Sequence, residues 1–89
     1  MKAVITVIGK DKIGIIAEIT SVLSSNKANI LDISQTILQD YFTMVMLVEL
    51  EYMDISFIEL KEKLAVAGEG IGMSVKIQHE DIFNAMHKI

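Results

Sequence analysis

Residues 2–25, KAVITVIGKDKIGIIAEITSVLSS, change their hydrophobic period halfway along, and that change decides the fold. Lys2 to Ile8 run apolar with β-branched Val4, Ile5, Thr6, Val7 and Ile8, and Gly9 closes the run. A strand with one wet face alternates apolar with polar residues, so this run predicts a strand buried on both sides or nearly so. After the polar turn Gly9-Lys10-Asp11-Lys12, the segment Ile13 to Ser25 repeats Ile16, Ile19 and Leu23 at helical spacing, with Ile15 and Val22 flanking them. That stripe predicts a helix with a wide apolar face. Asp11 reads as its N-cap and Asn26 as a left-handed stop.

Working outward, Asn29 to Gln39 return to a period of two, with Leu31, Ile33 and Ile37 on one side and Asp32, Ser34 and Thr36 on the other. This predicts a half-buried second strand. Gln39-Asp40-Tyr41 makes a short connection, and Phe42 to Leu50 then sets Phe42, Met44, Met46, Val48 and Leu50 on one face, completing a hairpin. Asp54 or Ser56 can cap a second helix, the latter with Glu59 in a capping box, and Phe57, Leu60, Leu64 and Ala67 form its stripe up to Gly68-Glu69-Gly70. A fourth strand follows from about Gly72 to His79, with Met73, Val75 and Ile77 facing one way. Residues 80–89 carry Ile82, Phe83, Met86 and Ile89 at helical spacing and read as an amphipathic helical extension.

The predicted order is β-α-β-β-α-β, an α+β, ferredoxin-like sandwich. Right-handed crossovers place strands one and three at the centre of a four-stranded antiparallel sheet with both helices on one face, and a short C-terminal helix is appended. The 89 residues suffice for one domain, expected over 1–79, with the extension at 80–89. A hydrophobic content of 52% and a mean hydropathy of +0.46 are rich for so short a chain and point to apolar surface buried between subunits.

Charge and residue types exclude several uses of this architecture. A net charge of -4 and no dense basic cluster remove the footprint that a phosphate backbone demands, so no nucleic acid is expected. No apolar run reaches the roughly 18 to 20 residues of a membrane span, and Met1-Lys2 lead directly into a strand, so the chain is expected to be cytoplasmic. An RNA-recognition motif would need exposed aromatics on the central strands, where only Phe42 is found. A metal chaperone of this topology would need a Cys pair in the first loop, and the chain has no Cys. An acylphosphatase-like enzyme would need an Arg for its oxyanion, but all eight basic residues are Lys. His79 and His87 lie near the C-terminus, and the carboxylates Glu49, Glu51 and Asp54 read as a solvated rim, so no catalytic constellation, metal site or cofactor is expected.

The run GKDKIGIIAEITSVL (Gly9 to Leu23), then NKANILDISQTI (Asn26 to Ile37), then FTMVMLVEL (Phe42 to Leu50), resembles the ACT domain family of small-molecule regulatory modules. It looks most like the stand-alone ACT proteins of uncharacterised function. It is also similar to the N-terminal ACT part of formyltetrahydrofolate deformylases and to glycine-cleavage regulators, without any catalytic domain of the former. The resemblance implies a homodimer, paired side by side, that binds an amino acid or related metabolite and changes contact with a regulated protein. The other reading is a constitutive dimerisation or interaction module with no ligand.

Gly14 in the first turn of a helix costs roughly 1 kcal/mol relative to Ala, so a specific reason for it is expected. Either the missing Cβ exposes helix-start amides to an anionic group, or it lets helix one pack tightly on the sheet. The resemblance favours a ligand loop made of Asp11, Ile13, Gly14 and Ile15, meeting Asn29 and Ile30 of the partner subunit. Asp11 would pair with a ligand ammonium or serve only as a cap. Asn29 would offer a carbonyl acceptor and an amide donor across the interface, or would only form the turn after helix one.

Overall fold

The computed structural model describes residues 1–86, so His87 and Ile89 of the expected extension lie outside the described residues. Strand β1 spans Lys2–Lys10, helix α1 Ile15–Ser25, β2 Asn29–Leu38, β3 Tyr41–Glu49, helix α2 Phe57–Gly70, β4 Met73–His79 and helix α3 Glu80–Met86. The strands form one antiparallel sheet in the order β2-β3-β1-β4, the ferredoxin-like arrangement expected, with β1 and β3 central and β2 and β4 at the edges.

The alternation of β1 and β3 builds the core. Ile5 stands opposite Met46 on one side and Ile77 on the other, and Ala3, Val7, Met44 and Val48 extend the same buried face. Ile15, Ile19 and Leu23 of α1 and Leu60 and Leu64 of α2 close over it. At Gly68, an added Cβ would lie 2.5 Å from Val75 Cγ2 and 2.9 Å from the Met73 carbonyl oxygen, so α2 reaches β4 only because that residue has no side chain. Ser56 caps α2 in the expected box: its hydroxyl accepts from the Glu59 N–H at 3.1 Å, while the Glu59 carboxylate accepts from the Ser56 N–H at 3.5 Å.

Three local expectations need correction. α1 begins at Ile15, two residues later than the periodicity indicates, because Gly14 takes a left-handed conformation with φ 91° and acts as the N-cap without any side-chain cap bond. Asp11 is therefore not the cap; β1 still runs at Lys10, and the Asp11 N–H is spent on the carbonyl of Asp40. The left-handed residue after α1 is Lys27, with φ 61°, and not Asn26, whose φ is -108°.

β2 is not half-buried in the way its alternation implies. A bulge between Ile30 and Asp32 sets Ile30 opposite Val48 and Ile33 opposite Met46, so Leu31 drops out of the pairing. Leu31, Ile33, Ile37 and Leu38 are all exposed along this edge. Nor is β1 dry on both faces. Val4 is buried on the face away from α1 and α2, where α3 packs on β1 and β4, but Ile8 further along is 48% exposed.

Candidate functional site

The loop from β1 to α1 is held by its surroundings at both ends. Lys10 pairs with Tyr41, and the next N–H, that of Asp11, donates to the Asp40 carbonyl at 2.7 Å, which ties the loop to the tip of the β2–β3 hairpin. Gly14 then turns the chain through a conformation that L side chains adopt at a cost, and α1 starts immediately after it. Since no side chain caps this end, the first amides of α1 and the positive end of its dipole are left for another acceptor. An added Cβ on Gly14 would meet nothing within 4 Å, so tight packing of α1 on the sheet is not the reason for the glycine.

Between this loop and β2 lies a cleft of about 350 Å³. Asp11, Lys12, Gly14 and Ile15 line it from the loop and helix start, and Gln35, Ile37 and Phe42 from the sheet. Of the residues expected at a site, Asp11, Gly14 and Ile15 are thus brought together. Ile13 is fully exposed, at 101%, and is not among the residues that line this cleft. Asn29 and Ile30 sit at the other end of β2, nine residue steps or about 30 Å from Leu38, which shares the loop's end of the sheet through Tyr41. Asn29 is exposed opposite Glu49, and Ile30 is half-buried against the core. One subunit alone does not join the two halves.

Sequence reasoning missed Lys12, Gln35, Ile37 and Phe42. Gln35 and Ile37 stand opposite Met44 and Phe42 on the helix side of the sheet, the face that alternation already gives Ile33 and Ile37; that this stretch meets the loop is set by long-range pairing with β3, which β2 alone does not reveal. A larger groove, of about 640 Å³, opens between α1 and α2, away from this loop.

The carboxylate of Glu49 is held below the usual glutamate range, first by a hydrogen bond from the Met1 ammonium at 2.7 Å, against an opposing push from desolvation. The ammonium charge and the N–H groups of Leu50 and Glu51 act in the same direction as that bond. Glu49 thus organises the end of β3. Among the described residues no group of three or more His, Cys, Asp or Glu is placed to hold a metal ion, and no helix is long and apolar enough to cross a membrane.

The ACT domain model matches residues 2–78 of the chain. A UPF0237 protein of Clostridium acetobutylicum is 56% identical over 89 residues, which is 100% of both chains. An ACT domain protein from Streptococcus pneumoniae shares the fold with a TM-score of 0.82 and 40% identity, over 98% of each chain. A formyltetrahydrofolate deformylase from Pseudomonas putida aligns with a TM-score of 0.80 at 13% identity, over 91% of this chain and 29% of that one, a likeness of fold alone. The match of the ACT domain model over residues 2–78, with 40% identity to an ACT domain protein over 98% of each chain, assigns the chain to the ACT domain family.

Proposed function

We propose that the chain is a non-enzymatic regulatory domain that binds an amino acid or related metabolite as a homodimer. The observation that carries this reading is the split arrangement along β2, with an uncapped helix start at one end and Asn29 at the other. Two β2 edges paired antiparallel about a two-fold axis would bring Asn29 and Ile30 of the partner subunit to the loop Lys10–Ile15. The ligand carboxylate then meets the first amides of α1, while its ammonium meets Asp11, whose side chain is not used as a cap. The partner's Asn29 supplies a donor and an acceptor, and Ile15, Ile37 and the partner's Ile30 supply apolar walls. Membership of a family known for ligand-binding regulation supports the same reading.

Thermal-shift screening against the amino acids and folate-type metabolites, beside sedimentation equilibrium, tests it. A ligand specific for the native dimer raises the melting temperature by mass action, and Asn29→Ala weakens it by about 1–3 kcal/mol. Exposed Leu31, Ile33, Ile37 and Leu38 would equally be covered in a ligand-free dimerisation module. A dimer without any responding ligand across the panel selects that alternative, and a monomer at tens of micromolar overturns both.

A further inference from the structure

We propose that the groove between α1 and α2 docks a cationic amphipathic helix of a partner protein. The groove of about 640 Å³ has Val22, Val66 and Ala67 as its aliphatic lining, and Val66 is 69% exposed. Glu18, Glu59 and Glu62 line it, with Lys63 as the one cation among its lining residues. Over the two helices there are four carboxylates and two ammonium groups, so this face is net negative. Neither helix carries a basic residue in its last turn, and the C-terminal end of α1, at Ser25 and Asn26, also borders the groove. Lys27, the next cation along the chain, leans toward Asp54 at 3.9 Å.

An aliphatic strip rimmed by negative charge fits a helix whose own apolar stripe is flanked by Lys or Arg. The sign of the charge selects among occupants. A second copy laid face to face would oppose Glu18, Glu59 and Glu62 with the same three residues, which like-charge repulsion disfavours. The groove is complete in one subunit, so its occupancy does not depend on a metabolite bound at the β1–α1 loop.

The test uses the full chain and three labelled synthetic peptides of about five helical turns each. One is an amphipathic Leu/Lys helix, one has Glu in place of Lys, and one is a scramble of the first that keeps its composition. Fluorescence anisotropy at about 0.15 M salt should show the Leu/Lys helix binding at least about tenfold tighter than the scramble, and no binding of the Glu peptide. The double variant Glu18→Lys, Glu62→Lys should lose about tenfold toward the Leu/Lys helix, and Val66→Ser should weaken it at unchanged net charge. Amide shift changes should fall on α1 and α2. Equal binding of helix and scramble, unchanged binding by the variants, shifts elsewhere, or no binding at millimolar peptide would each overturn the proposal. So would conversion of a dimer to a monomer by the charge reversal, which makes a second copy the occupant.

Discussion

The backbone N–H of Asp11 donates to the carbonyl oxygen of Asp40 at 2.7 Å, which ties the loop entering α1 to the hairpin turn between β2 and β3. That bond couples the two walls of the candidate cleft: the loop supplies Asp11 and Gly14, and the hairpin ends the strand that supplies Gln35 and Ile37. The geometry of the turn therefore bears on the site as well as on stability.

Gln39 holds that turn with φ 57°, a left-handed conformation in a residue that has a Cβ. Such a conformation costs about 1–2 kcal/mol in a residue other than glycine, Asn or Asp. Gln39→Gly should accordingly stabilise the protein by up to about 1 kcal/mol after the added unfolded-chain entropy, read as a raised urea midpoint with an unchanged slope. A lowered midpoint would mean that the Gln39 side chain contributes more than its backbone costs.

Gly14 gives the opposite case. Its φ of 91° is strained for any L residue, while the space around it is open. Gly14→Ala should destabilise by about 1–2 kcal/mol through the backbone alone, and Gly14→Asn by less, because Asn tolerates left-handed geometry. Equal midpoints for parent and Gly14→Ala in chemical denaturation would show that α1 can start without a positive φ.

Gly68 and Gly70 lie two residues apart in α2 and should respond with opposite signs. At Gly68 a Cβ meets Val75 at 2.5 Å and a backbone oxygen at 2.9 Å, and overpacking of this kind costs about 1–3 kcal/mol, more than the gain in helix propensity. At Gly70 a Cβ meets nothing within 4 Å, so Gly70→Ala should stabilise by about 0.4–1 kcal/mol. Thermal melts of the two variants check both signs, and a stabilised Gly68→Ala would mean that α2 can lift from β4 at little cost.

What the sequence makes legible is what local chemistry sets. The Ser56–Glu59 capping box can be read directly, since both partners lie within one helical turn. The inward face of β3 is equally plain, because Phe42, Met44, Met46 and Val48 alternate without interruption. The start of α1 is misread because a glycine with positive φ and a glycine inside a helix look alike in the sequence. The bulge at Leu31 is hidden for a different reason: pairing with β3, and not the pattern within β2, decides which residue is left over. The same register brings Gln35 and Ile37 to the cleft wall, whereas the loop residues Asp11, Gly14 and Ile15 were visible as a motif.

Glu49 provides a test in pH. Its carboxyl titrates below the ordinary glutamate range of about 4.3, chiefly because it accepts a hydrogen bond from the Met1 ammonium, so the folded protein favours the ionised form more than the unfolded chain does. The resulting stabilisation is fully present above the unfolded-chain value and is lost as pH falls through the lower folded one. Glu49→Gln keeps an oxygen that can accept from Leu50 and Glu51 but removes the charge that the ammonium pairs with. The variant should therefore lose less stability than the parent as pH falls below about 5, with the two curves converging at the acid end. Urea midpoints measured at several pH values check this, and parallel acid limbs for parent and variant would show that the Met1–Glu49 pair contributes nothing to the pH dependence of folding.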